Sequence, residues 1–349
     1  MEFFGKTLSG PFTIPSGIVT TATPIIQYIF DHLPEVGVVT TKSIGLEPRE
    51  GNREPVYSQY APGCFVNAVG LTNPGAHQSL ALLAALNIPK DRFLLTSIFG
   101  GSIEEFVTVA KILAPVSDGL ELNLSCPHAK GYGMAMGQDP DLVRQITAAV
   151  KAVVDIPVIP KLTPNTPDIA KIAKAAIAGG ADGLCAINTA GPGYTSSHGY
   201  PVLSNGTGGM SGKGVLPIGL QCVRDIAAVT DCPIIGCGGV SSAADVRAYF
   251  DAGASVIGVG SSLTGLTTDE VSAYFKALSK DLDTDNNRAE SHIRYDIDMN
   301  FRPVILVENK RICEDICILT FDRKINIQAG EFVFLWIPGV GEKPFSALT

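Results

Sequence analysis

Short apolar, largely β-branched runs recur along the first part of the chain, and each is followed by a loop and an amphipathic stretch. They are 12-FTIPSGIV-19, 36-VGVVTTK-42, 93-FLLTSIF-99, 119-GLELNLS-125, 156-IPVIPKL-162, 182-DGLCAIN-188, 233-PIIGCGG-239 and 255-SVIGVGS-261. Continuous apolar runs, rather than alternating ones, mark strands buried on both faces, as in a parallel sheet covered by helices. The intervening helices are legible. Residues 140-PDLVRQITAAVKAVV-154 set Leu142, Ile146, Val150 and Val153 on one stripe. Residues 167-PDIAKIAKAAIAGGAD-182 stop at a glycine pair, and 241-SSAADVRAYFDAGAS-255 opens on a serine cap and ends at Gly253.

About eight strand–helix units over about 280 residues predict a (β/α)8 barrel. A doubly wound open sheet is the alternative. The polar residues favour the barrel: Lys42, Asn123, Lys161 and Asn188 each close a different strand. The carboxyl ends of all barrel strands face one pocket, whereas an open sheet spreads them along a crevice.

The pattern changes after residue 280. Residues 281–298 are polar and charged, predicting a linker over 281–300. Residues 301–349 then read as strands, with few helix formers and the only tryptophan. About 50 residues is too little for an independent β-barrel core. This segment is expected to be incomplete as a domain, either one piece of a longer fusion or a part completed in trans.

Composition narrows the function classes. The 349 residues are 46% hydrophobic and 17% charged, ordinary for a globular protein with a sizeable core. A net charge of −8 argues against nucleic acid as the main partner. No apolar run reaches the roughly 18–20 residues that span a membrane, and no signal peptide is read, so a cytoplasmic protein is expected. Of the eight cysteines none forms a CxxC pair, and several lie in apolar runs. Free thiols in a reducing compartment are expected, with no metal site.

The candidate chemistry gathers at the strand ends. Gly238 and Gly239, in 236-GCGGVSSAADV-246, stand between a strand and a helix N-terminus, and 258-GVGSSLTG-265 repeats the device one unit later. Glycines here can simply make tight turns. Two consecutive loops on the last two strands, however, are the usual phosphate site of a barrel. Lys42 and Lys161 follow apolar strands, where a lone charge is costly unless it meets an anion or an electron-rich ring. The bland reading is a pair of lysines that clear the rim. Asn67, Asn123 and Asn188 offer donor and acceptor together, suiting a neutral imide ring, although asparagine also caps turns. Cys126 sits between a strand end and the glycine-rich loop 131-GYGMAMGQ-138. Buried structural cysteine is the commoner case, but this position suits a nucleophile or general base under a lid. A phosphate-binding scaffold without enzymatic activity would not need lysines, amides and a thiol together.

Taken in order, 40-TTKSIGLEPREGN-52, 65-FVNAVGLTNPG-75, 123-NLSCP-127, 161-KLTPN-165, 187-INT-189, 236-GCGG-239 and 259-VGSS-262 resemble the class 1 dihydroorotate dehydrogenases over about residues 1–280. The resemblance implies an FMN-containing (β/α)8 barrel that oxidises dihydroorotate to orotate in pyrimidine biosynthesis. It implies Cys126 as the base that removes the C5 proton while the C6 hydride goes to the flavin. Lys42, Asn67, Asn123, Asn188 and Thr189 would hold the pyrimidine, with the backbone of Val69, Gly70 and Leu71 on the orotate carboxylate. Gly17, Lys42, Ser43, Asn123, Lys161, Ile187, Gly238, Gly239, Gly260 and Ser261 would line FMN, with the Ser211–Gly212 turn as a further contact. A homodimer of barrels goes with the class.

Two departures shape the expectation. The family commonly carries a second Asn after NLSCP, where this chain has His128. NLSCPH is similar to the FMN domain of dihydropyrimidine dehydrogenase, so reduction of uracil or thymine is the alternative. LEPREGN and NAVGLTNPG favour dihydroorotate. In the tail, 329-AGEFVFLWIPGVGEKPFS-346 resembles the start of the FAD-binding electron-transfer subunit that accompanies the NAD-linked class 1B enzymes. That resemblance implies a reductase partner carrying FAD, an iron–sulfur centre and NAD outside this chain, with no FAD on this chain alone. Fumarate is the other acceptor to consider.

Overall fold

The computed structural model describes residues 1–124, 133–284, 297–325, 327–328 and 331–346. Cys126 and His128 lie outside the described residues, as does most of the linker expected over 281–300.

Eight parallel strands close into a barrel in chain order: β1 (Phe12–Ile14), β2 (Val36–Thr40), β3 (Phe93–Ile98), β4 (Gly119–Asn123), β5 (Val158–Leu162), β6 (Leu184–Ala186), β7 (Ile234–Cys237) and β8 (Val256–Gly258). Each is followed by a helix: α1 (Thr23–His32), α2 (Ala76–Ala84), α3 (Ile103–Leu113), α4 (Pro140–Lys151), α5 (Ile169–Ala178), α6 (Leu216–Ala227), α7 (Ala243–Asp251) and α8 (Thr268–Asp283). All eight apolar runs thus become barrel strands. None of the helices is long and apolar enough to cross a membrane.

Strand alternation divides the core in two. Outward residues such as Ile14, Val39, Leu94, Leu120, Val158 and Ile257 pack under the helices in one large cluster. Inward residues Val38, Phe93, Leu95, Ile159, Cys185, Ile235 and Val256 fill the barrel interior with Phe3 and Leu8. Phe3 closes the floor, its ring edge-on to Phe93 at 5.2 Å. The hairpin Glu2–Phe3/Lys6–Thr7 is therefore a plug.

Local signals set the helix ends as expected. Ser242 caps α7 by accepting from the Asp245 amide, and α5 ends at Gly179, with Gly180 at φ +90. One detail differs. The buried face of α4 is Val143, Ile146, Thr147 and Val150, whereas Leu142 and Val153 lie half-buried at its margin. A four-residue step on a 3.6-residue helix drifts, so the expected stripe is rotated by part of a turn.

Two long loops carry structure that the apolar pattern did not reveal. The β2–α2 loop holds Tyr57–Ala61 and Cys64–Asn67, and the β6–α6 loop holds Ala190–Gly193 and Gly208–Gly212. They pair into one four-stranded antiparallel sheet beside the barrel mouth. In the glycine-rich loop expected to act as a lid, Gly133–Gln138 forms a short 3-10 helix, and Met136 is buried in the outer core. That half is anchored.

Beyond α8 the described tail consists of two hairpins, Leu306–Arg311/Cys317–Phe321 and Phe332–Ile337/Gly341–Ser346. Their apolar residues, including Leu306, Ile318, Phe332 and Phe345, are largely exposed. The expected β segment is present, without a closed core of its own among the described residues.

Candidate active site

The carboxyl ends of the barrel strands and the mouth sheet enclose a cavity of about 400 Å³. Small-molecule sites have about this size. Every described candidate from the sequence lines it. Gly17, Lys42 and Ser43 enter from the first two strands, and Asn67, Val69, Gly70 and Leu71 from the β2–α2 loop. Asn123 and Lys161 come from β4 and β5, and Ile187, Asn188 and Thr189 follow β6. Ser211 and Gly212 belong to the mouth sheet, while Gly238, Gly239, Gly260 and Ser261 follow the last two strands.

The amides form a chain of hydrogen bonds rather than separate turn caps. The Ser43 hydroxyl bonds those of Ser16 and Ser97, each at 2.9 Å. Asn123 Nδ2 donates to Ser43 Oγ at 3.0 Å, and Asn188 Nδ2 donates to Asn123 Oδ1 at 3.2 Å. Asn188 Oδ1 accepts from the Thr189 amide at 2.8 Å. This chain fixes which face of each side chain points into the cavity. Asn67 Nδ2 makes only a long bond, 3.4 Å, to the Gly209 carbonyl.

The two lysines are held differently. Burial, aided by the nearby Lys161 ammonium, holds Lys42 below the ordinary lysine range. Among the described residues it has no carboxylate partner. Burial opposes the charge of Lys161 too. The Glu121 carboxylate, with Cys185 and Cys237, outweighs burial and holds that ammonium above the ordinary range. Glu121 Oε2 lies 3.7 Å from Lys161 Nζ. Lys161 therefore brings a held positive charge to the cavity floor, and a ligand that gathers electron density there is favoured.

The glycine loops make a cradle. At Gly239, φ +76, an added Cβ would lie 2.8 Å from the Leu216 amide nitrogen and 2.9 Å from the Gly212 carbonyl oxygen. At Gly238, φ +130, it would lie 3.2 Å from Ile187. Glycine is required where the backbone turns this tightly and stays open to a ligand. Behind the loop, Asp245 on α7 accepts from Ser241 N at 2.9 Å and from Lys213 Nζ at 2.7 Å on each oxygen. Gly238, Gly239, Gly260 and Ser261 line this end of the cavity close to the N-terminus of α7, and such an end suits a phosphate. A flat ring with a phosphate tail fits the residues present: the amide chain and lysines at one end, the glycine cradle at the other.

Other lining residues escaped sequence reasoning. Asn165 Nδ2 donates to the Thr189 carbonyl at 3.2 Å, and its Oδ1 accepts from the Gly191 amide at 2.8 Å. It clamps the loop that presents Asn188 and Thr189. Tyr57 stacks on Phe65 and shares a 3.0 Å hydrogen bond with the Thr264 hydroxyl. Burial pushes that phenol up to about 12. The KLTPN motif could have signalled Asn165, but Tyr57 carries no local signal. Leu71, at φ +62, is a bulky residue in the left-handed region, a form of strain that gathers at ligand sites.

Comparison with known proteins accords with this geometry. The family model described as dihydroorotate dehydrogenase matches residues 1–281, ending within α8. Similar proteins include three named "Dihydroorotate dehydrogenase B (NAD(+)), catalytic subunit". The one from Pyrococcus horikoshii is 45% identical over 268 residues, covering 75% of this chain and 86% of that protein. The one from Methanocella arvoryzae is 44% identical over 263 residues, covering 74% and 85%. The one from Methanosarcina mazei is 44% identical over 262 residues, covering 74% and 82%. With the barrel, the amide chain and the two lysines in place, the chain belongs to the dihydroorotate dehydrogenase family.

Proposed function

We propose that this protein is an FMN-dependent enzyme that oxidises dihydroorotate to orotate in pyrimidine biosynthesis. The observation that carries the reading is the linked Ser43–Asn123–Asn188–Thr189 chain beside half-buried Lys42 and buried Lys161, in a cavity whose far end is a glycine cradle. The family match supports the substrate. Reduction of uracil or thymine gains no support from the relatives, all named for dihydroorotate.

FMN supplies the acceptor for the hydride leaving C6. The rest of the chemistry falls to the protein. Asn67, Asn123, Asn188 and Thr189 orient the pyrimidine, and the Val69–Gly70–Leu71 backbone takes its carboxylate. Lys42, which has no carboxylate partner among the described residues, would neutralise charge on a ring bound at its end of the cavity. Lys161 stays charged through the transfer. Cys126, three residues beyond the end of β4, removes the C5 proton. The backbone at Gly238 and Gly239 after β7 and at Gly260 and Ser261 after β8 would hold the phosphate.

The relatives are named as catalytic subunits of a B-type, NAD(+) enzyme. By the same reading this chain passes electrons to a separate or fused reductase bearing FAD, an iron–sulfur centre and an NAD site. Its 301–349 segment is the first part of such a reductase fold. The barrels pair as homodimers in the cytoplasm.

Anaerobic addition of dihydroorotate to the yellow protein should bleach the flavin absorbance. Orotate should perturb the spectrum at lower concentration than uracil. Cys126→Ala should keep FMN but slow the bleaching by about 10² to 10⁴, the usual loss of a general base. Bleaching at the wild-type rate would remove Cys126 from the mechanism, and no bleaching of the wild type would refute the substrate.

A further inference from the structure

Strand β4 points three residues into the barrel: Gly119, Glu121 and Asn123. Asn123 belongs to the substrate face. Glu121 lies one inward position deeper and is only 1% exposed. The inward side chains below it are apolar, among them Leu95 on β3, Ile159 on β5, Ile235 on β7 and Val256 on β8, and its register partner on β3, Ser97, has its hydroxyl bonded to that of Ser43 at 2.9 Å. An ionised carboxylate in such surroundings is expensive unless it is paired. Its pairing is incomplete. Oε2 faces Lys161 Nζ at 3.7 Å, longer than a hydrogen bond, and Oε1 has no hydrogen-bond partner among the described residues. A carboxylate kept for packing or hydrogen bonding would be better satisfied than this. What it supplies is negative charge beneath one lysine.

We propose that Glu121 is a positioning residue that keeps Lys161 protonated under the flavin and thereby sets the flavin's reduction potential. This rests on the FMN reading given above. The ionisable groups facing Lys161 come from every neighbouring strand: Glu121 on β4, Lys42 beyond β2, Cys185 on β6 and Cys237 on β7. Lys42 repels the ammonium and burial disfavours it. The thiols are neutral groups unless they ionise. Glu121 is the only carboxylate among these and the largest influence in favour of the charge, so its removal leaves only the two thiols against burial and Lys42, and Lys161 gives up its proton.

The sign distinguishes this from a simple field effect. If Lys161 kept its charge without Glu121, deleting a nearby negative charge would make the site more positive and raise the flavin potential. If Lys161 loses its proton, the site loses a positive charge next to the ring and the potential falls. In binding terms, the preference of the protein for reduced over oxidised flavin falls by about tenfold or more.

The experiment is a spectroelectrochemical titration of the FMN-loaded protein over about pH 6 to 9, well below the ordinary lysine range. Glu121→Gln should lower the midpoint potential, increasingly as the pH rises. Lys161→Gln should lower it to the same final value at all pH. In the Lys161→Gln background, Glu121→Gln should lower the potential no further, because no ammonium is left there for it to hold. A rise or no change in Glu121→Gln overturns the proposal. Should that variant fail to fold, the gap between wild type and Lys161→Gln decides: it must persist undiminished across the range, and a gap that closes toward pH 9 overturns the proposal. A wild-type protein that takes up no flavin overturns the functional reading and this inference together. A loaded protein with an unmoved potential overturns this inference alone.

Discussion

Asp245 offers the sharpest test of how the phosphate end of the cavity is held. Its carboxylate receives Lys213 Nζ at 2.7 Å on both oxygens, and the Ser241 amide and hydroxyl at 2.9 and 3.0 Å. It is nearly buried, its side chain 9% exposed, whereas that of Lys213 is 34% exposed. Asp245→Asn keeps the shape but removes the charge, and one of its ends must turn an amide donor toward Lys213 or Ser241. Breaking a buried pair by removing one partner costs about 3 to 5 kcal/mol. The partly exposed lysine recovers some hydration, so we expect less than that, about 2 to 3 kcal/mol. That is a large share of the roughly 5 to 15 kcal/mol that holds a domain folded. Urea unfolding of the flavin-free protein should show the midpoint falling by about 1 M with the slope unchanged. Lys213→Met should also destabilise. The double variant should cost less than the sum of the two by about 1 kcal/mol, because the residues share one interaction. A midpoint that does not move, or singles that add fully, would refute the account. FMN affinity should fall with stability, since Ser241 leads directly into α7.

Other outcomes follow from the same geometry. Gly239→Ala places a Cβ against two backbone atoms in left-handed backbone, at about 1 to 2 kcal/mol before any clash, so flavin should be lost on gel filtration. Gly260→Ala, whose Cβ meets nothing nearer than 3.5 Å, should keep it, and equal flavin retention by both variants would contradict the cradle. Lys42 has a lowered folded pKa, so the folded flavin-free protein binds that proton less tightly than the unfolded chain does. Its stability should therefore rise with pH through the folded pKa and level off near the unfolded value of about 10.4. Lys42→Met should abolish that slope in urea titrations, and an unchanged slope would assign it to another group.

Much of the architecture was legible because a parallel barrel strand is buried on both faces. Such a strand must be apolar throughout, and all eight runs stood out for that reason. Ser242 and the Gly179–Gly180 pair were equally readable, since caps act within a few residues of themselves. The strand-end lysines and amides could be listed from their positions, and the motif order pointed to the family.

What the sequence by itself determined, then, was the series of strands, the helix ends and the polar residues at the barrel mouth, all properties of short stretches. Only the tertiary structure decided which of those residues act on one another. The mouth sheet joins Cys64–Asn67 to Gly208–Gly212, segments from loops on different strands, and no local pattern announces that pairing. Asn165 reaches across to Thr189 and Gly191 from the next unit. Within ELNLS, Glu121 and Asn123 share an inward face, but the sequence does not say how deep each lies. Barrel closure and strand stagger put Asn123 against the cavity and Glu121 beneath Lys161, where low polarity makes one carboxylate decisive for one ammonium.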